Sequence, residues 1–101
     1  MSYKKTDPQI SFADFLTKVT QITEFSSSNG RRYIISKCDN RFYKFFRLDG
    51  KKPEMEWRIN LEKLFEAYKA IEEFSTSNLK PYATRAHSPA RGLLIKAGLL
   101  S

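Results

Sequence analysis

A single cysteine, Cys38, in a chain of 101 residues has no partner within the chain, so neither an internal disulfide nor a multi-cysteine metal site is available. One histidine, His87, leaves acid–base chemistry equally short. Cys38 and His87 are the only thiol–imidazole pair, and nothing in their spacing brings them together. A phosphodiesterase-like site of His87 between Arg85 and Arg91 lacks a second acid or base. The four glycines form no phosphate loop and no dinucleotide fingerprint. Asp7, Asp14, Asp39 and Asp49 are accounted for by a polar arm, a capping position and two turns, which leaves paired-carboxylate and metal chemistry unsupported. No apolar run approaches the roughly 20 residues of a membrane span, and the opening MSYKKTDPQI has no apolar stretch behind its lysines. These absences lead us to expect a cytoplasmic, unsecreted protein with no membrane segment, no cofactor and no catalytic role.

What the chain does have is positive charge and aromatic rings. Lys and Arg number 18 against 11 acids, a formal net charge of +7, and 14% of the residues are aromatic. A chain of this length closes one core, burying roughly 60–70% of its unfolded surface. The charge is uneven. Residues 1–25 are neutral, residues 26–59 carry +5, residues 60–74 carry −2 and residues 75–101 carry +4. An excess of this sign favours phosphate-bearing or acidic partners.

The periodicities divide the chain. Residues 1–10 are polar, include Pro8 and show no period, so they read as a flexible arm, with residues 11–101 as a single domain. Phe12, Phe15, Leu16 and Val19 recur at helical spacing behind Ser11, an N-cap residue, and the pattern changes towards a strand near Thr20. Asn29-Gly30, Asp39-Asn40 and Asp49-Gly50 are turn signals at near-regular spacing. They separate four β-rich segments, QITEFSS, RRYIISKC, RFYKFFRL and EMEWRI, which together predict an antiparallel meander. Pro53 falls in the last loop. Asn60 can cap a helix through LEKLFEAYKAIEEF, STSNLKPYATRAH is a linker, and SPARGLLIKAGLL is a last helix with Ser88 at the N-cap, Pro89 in its first position and Gly98 at its C-terminal cap. The predicted fold class is α+β: an N-terminal helix, a four-stranded antiparallel meander sheet and two C-terminal helices.

Function is sought where rings and cations interleave. As a strand, RFYKFFRL places Arg41, Tyr43, Phe45 and Arg47 on one side and Phe42, Lys44, Phe46 and Leu48 on the other. The second set is expected to bury against the helices, with Lys44 as its misfit. The first set, joined by Tyr33 and Lys37 of the preceding strand, would then be an exposed platform on which bases stack while cations follow the phosphates. Arg31, Arg32 and Lys51 at the loop tips, and Arg85 and Arg91 around the start of the last helix, complete the candidate phosphate contacts.

The order Arg41, Tyr43, Phe45 matches part of the aromatic motif of RNA-recognition motifs, but Phe42 and Lys44 stand where that motif has small residues and Leu48 where it has a ring. The element order also differs. A four-strand meander followed by a helix is similar to the repeating unit of Whirly and PUR single-strand binders. That likeness is one of architecture, and no family is assigned on it. The expectation is a small basic nucleic-acid-binding domain, strand type unspecified, with a protein-interaction module (homodimer or accessory subunit) using the same aromatic face as the alternative.

Overall fold

The computed structural model describes residues 4–27, 30–48, 56–83 and 86–101. Helix α1 (Phe12–Thr20) starts where the sequence places it: the Ser11 hydroxyl accepts the Asp14 N–H at 3.2 Å, which satisfies one of the free donors of the first turn. The helix ends at Thr20, and the chain enters β1 (Glu24–Ser26), β2 (Arg32–Cys38), β3 (Phe42–Arg47) and β4 (Glu56–Asn60). The four strands form one antiparallel sheet in the order β1-β2-β3-β4, so the α+β meander expected from the turn signals is what the chain adopts. Gly30, in the first turn, has φ +85°, where a side chain is disfavoured. Between β2 and β3 the Asp39 carboxylate accepts the N–H groups of Arg41 and Phe42, each at 2.8 Å. The Asp49-Gly50 turn and Pro53 lie outside the described residues.

Helix α2 (Leu61–Ala70) follows β4 directly, capped by Asn60, whose side-chain oxygen accepts the Lys63 N–H at 3.0 Å. It stops four residues before Phe74, the end expected from the apolar stripe. Ile71 turns extended at ψ 133°, yet Ile71 and Phe74 remain buried; the stripe continues as packed irregular chain. The expected linker contains a one-turn helix, α3 (Thr76–Leu79), which buries Leu79. Helix α4 (His87–Lys96) begins earlier than expected. Its N-cap is Ala86 rather than Ser88, and Pro89 is its third residue, a first-turn position whose missing N–H has no intrahelical acceptor in any case. Gly98, at φ +80°, follows its end.

Within the segment read as an arm, residues 4–10 lie against the domain. Lys4 and Ser101 exchange backbone hydrogen bonds at 2.9 and 3.0 Å, the Thr6 N–H donates to the Leu99 carbonyl, and Ile10 enters the core. Lys5 donates to the Lys69 carbonyl at the end of α2. Backbone and side-chain bonds both tie residues 4–10 down, the Thr6 hydroxyl donating to the Gly98 carbonyl at 2.6 Å.

One correction concerns sides. Phe25, Tyr33, Tyr43, Phe45 and Ile59 share the sheet face that meets the helices, and all are buried; Tyr43 and Phe45 are at 0% exposure. The rings interlock there, with Phe45 5.4 Å from both Phe25 and Tyr33 and 6.0 Å from Tyr43 between centroids, within the range of favourable aromatic pairing. Phe15, Leu61, Leu64, Tyr68, Leu93 and Leu94 close the core from the helices. The alternation along β3 is as read from the sequence, but the buried and open sides are exchanged. The physical reason lies in where the charges fall along the strand. Arg41 and Arg47 stand at its ends and reach solvent even with core-facing parity, whereas Lys44 at its centre would be desolvated if its side were covered.

Candidate functional site

The outer sheet face, turned away from the helices, is built in rows by the strand register. One row runs Glu24–Ile34–Phe46–Glu56 across all four strands. The next holds Lys37 opposite Lys44 and Lys44 opposite Arg58. Lys37 reaches this row because β2 carries an extra residue: Ile35 pairs with Phe45 but Lys37 with Lys44, a bulge at Ser36, and a bulge changes which face the following residues present. Simple alternation from Tyr33 had placed Lys37 with the rings; the bulge separates them.

Directly opposed side chains on neighbouring strands stand about 5 Å apart, where like charges repel. Among the described residues no acid lies within ion-pair distance of Lys37, Lys44 or Arg58. Asp39, in the β2–β3 turn, is an acid on which Lys44 and Lys37 act. Its carboxyl is held below the usual carboxylate range first by the Phe42 N–H, next by the Arg41 N–H, and then by the charges of Lys44 and Lys37.

Rings flank the cationic row. Phe46 lies in the row before it and Phe42 after it, both half-buried, and the Arg58 guanidinium sits over the Phe42 ring at 5.3 Å. Beyond Phe42 the surface dips into a hollow of about 200 Å³ lined by Arg58, Asn60, Lys63 and Tyr82. Among the described residues, Ile34 and Leu48 are the exposed large apolar side chains, at 38% and 45%.

The residues expected to form the site disperse. Tyr33, Tyr43 and Phe45 are core residues and offer no ring to a ligand. Tyr43 donates its hydroxyl to the Ile22 carbonyl, and burial pushes its pKa up. Arg32 is on the outer face, in an ion pair with Glu24. Arg41 is exposed in the β2–β3 turn. Arg91 donates to the Phe74 carbonyl at 3.4 Å and serves packing. Arg31 and Arg47 meet at the far end of the sheet beside His87. Lys51 and Arg85 lie outside the described residues. Of the candidates, Lys37 belongs to the new row. Sequence reasoning missed Lys44 and Arg58 as its other members, and the signal that marked them was Lys44 itself, the one charge in a strand side assigned to the core.

Burial, then the neighbouring Asp39 charge, raises the Cys38 thiol pKa, which holds it away from the reactive thiolate. Among the described residues no group of three metal-ligating side chains occurs, and no helix is long and apolar enough to cross a membrane. No family model, no curated protein and no solved structure matches the chain.

Proposed function

We propose that this is a nucleic-acid-binding domain that takes a single strand on the outer face of its sheet. The observation that carries the reading is the row Lys37–Lys44–Arg58, three directly opposed cations without an acid partner among the described residues. Such a row works against folding and is offset by an anion lying across it. Phe42 and Phe46 on either side supply ring faces for unstacked bases, and stacking on a ring is tolerant of sequence. An open sheet face suits an extended strand better than the groove of a duplex, which is read by an inserted helix or ribbon. The net charge of +7 favours the encounter. The reading involves binding alone, with no chemical step.

Fluorescence anisotropy of labelled single- and double-stranded oligonucleotides across a salt series tests it. The expected result is tighter binding of single strands, with affinity falling as salt rises by a slope of about −0.7 per phosphate neutralised. No binding at low salt, or a clear preference for duplex, overturns the reading.

A second reading is favoured by the exposure of Ile34 and Leu48. With Phe46 they form an apolar strip on the same face, and apolar centres of this kind are what protein interfaces cover. A dimer on a sizing column that persists at high salt, and that dissociates in Leu48→Ser, would support this reading over the first.

A further inference from the structure

The two edges of the sheet differ. Helix α4 packs closely along β1, with Gly92 against the Ser26 backbone. At the opposite edge, β4 pairs with β3 alone. The Leu61 N–H donates to the Arg41 carbonyl, which sets the parity: the backbone groups of Trp57 and Ile59 point to β3, and those of Glu56 and Arg58 point outward. Among the described residues no hydrogen bond reaches these outward groups. Unpaired edge groups are a template for a further strand, and charged side chains usually discourage its approach. Here the order of the charges does the opposite. β4 begins Glu56-Trp57-Arg58, an acid and a base on either side of a ring. An antiparallel strand of the same sequence, centred on Trp57, sets Glu56 opposite Arg58 on both sides of the axis. Opposed unlike charges favour a ladder, and both pairs fall where the backbone groups point outward and can exchange their N–H···O bonds. Centring on Glu56 or Arg58 would oppose like charges, and centring on Ile59 runs the overlap into α2.

We propose that β4 pairs with β4 of a second copy of this chain, antiparallel about Trp57, joining the two sheets into one. A second copy is the occupant because this edge is complementary in charge to itself, which is what a two-fold interface requires. The Ser36 hydroxyl donates to Glu56 Oε2 at 2.7 Å, which leaves Oε1 for Arg58 of the second copy. Arg58 stands over the Phe42 ring and retains N–H donors for that carboxylate. Trp57, half-buried against the core, meets its own copy at the axis as a non-hydrogen-bonded pair, about 4.5 Å between Cα atoms. Tryptophan is a residue that interfaces favour. The axis of such a pair is perpendicular to the sheet, so both outer faces lie on the same side. Arg58 gains an acid partner, while Lys37 and Lys44 still await an anion.

Sedimentation equilibrium of the wild type, Glu56→Arg, Arg58→Glu and the double exchange tests this. Both side chains are exposed, so the variants should keep their fold, which thermal unfolding checks. The wild type is expected to dimerise. Each single exchange turns both unlike pairs into like pairs and should weaken the dimer about tenfold or more, and the double exchange should restore it. Trp57 is the chain's only tryptophan, so its emission should shift to the red as the wild-type dimer dissociates on dilution. A wild type that is monomeric at every concentration overturns the proposal. So does a dimer indifferent to the exchanges; if that dimer dissociates in Leu48→Ser, the outer face joins the copies instead. A monomer whose Trp57 emission shifts with a short Glu-rich peptide, in the wild type but not in Arg58→Glu, would give the edge to an acidic strand of another protein and overturn the second copy. No oligonucleotide enters these measurements, so strand binding on the outer face stands or falls separately.

Discussion

Lys37 of β2 and Lys44 of β3 face each other as a directly opposed pair on the outer sheet face, and Arg58 of β4 extends the pair into a row. Lys44 is the middle member, so its loss relieves two repulsions at once. Lys44→Thr, which keeps strand propensity, is expected to raise the unfolding free energy at low salt by about 0.2–1 kcal/mol. The same change should weaken oligonucleotide binding and flatten its salt dependence by about 0.7 in slope. Opposite signs in the two measurements are the mark of a residue kept for a ligand; a variant that is less stable and binds unchanged would make Lys44 a packing residue.

Adjacent residues of β3 should behave in opposite ways. Phe45 is at 0% exposure and in contact with four other rings, so Phe45→Ala is expected to lose about 3–5 kcal/mol, enough to unfold many domains of this size. Phe46, half-buried on the outer face, should lose about 1 kcal/mol on the same change and remain folded while binding oligonucleotide less tightly. Urea unfolding of the two variants side by side checks the face assignment directly, and the reverse order of stability would refute it.

The order of α1, the four strands, α2 and α4 was legible because several boundaries had a local cause, Ser11 and Asn60 at helix starts, Gly30 and Asp39 at turns and Gly98 after α4, whereas the end of α2, the one-turn α3 and the start of α4 at Ala86 had none. What the sequence could not carry were decisions made between elements. RFYKFFRL has rings on both sides, so alternation alone leaves its orientation open; the cross-strand partners Tyr33 and Ile59, with the Phe25 ring against Phe45, settle it, and a one-residue change of parity inverts every assignment. The bulge at Ser36 leaves no compositional trace, and it moves Lys37 from the company of the rings to that of Lys44. Likewise, the pairing of residues 4–6 with residues 98–101 is carried largely by the backbone, to which hydropathy patterns are blind.

Gly92 illustrates another long-range cause. By helix propensity, glycine within α4 is unfavourable by about 1 kcal/mol relative to alanine. But α4 crosses β1 so closely that a Cβ at position 92 would lie 2.4 Å from the Ser26 carbonyl oxygen and 3.0 Å from its carbon. Backbone cannot be trimmed to make room. Gly92→Ala is therefore expected to destabilise by about 1–3 kcal/mol, seen as a lower Tm, and Ser26→Gly should not rescue it. A stabilised Gly92→Ala would show that α4 has room to move away.

Tyr68 ties the two ends of the described chain. Its hydroxyl donates to the Leu99 carbonyl at 2.9 Å and accepts the Asp7 N–H at 3.1 Å. Tyr68→Phe keeps the ring and leaves both backbone groups without this partner, an expected loss of about 1–3 kcal/mol. Hydrogen exchange should show the effect concentrated in the amides of Lys4, Thr6 and Ser101, which pair the terminal segments. Uniform loss of protection across the sheet would instead make Tyr68 a determinant of the whole core.

Asp39 joins the turn to the cationic row, and its ionisation gives that row a pH dependence. The folded carboxyl titrates below its ordinary value, first because the Phe42 and Arg41 N–H groups bond to it and further because Lys44 and Lys37 are near. A carboxyl whose folded pKa is depressed stabilises the fold above its unfolded value, near 4, and that contribution disappears as pH falls through the folded value. Asp39→Asn separates the causes, since an amide oxygen can still accept the two N–H bonds while the negative charge is gone. The wild type should exceed Asp39→Asn in stability at pH 6–7, with the gap closing in acid below pH 4 and narrowing in high salt because the carboxylate is exposed to solvent. Equal stability of the two proteins at neutral pH and low salt would mean that hydrogen bonding alone holds the turn. The charges of Lys44 and Lys37 would then be uncompensated even by Asp39, which strengthens the case for an anion supplied from outside.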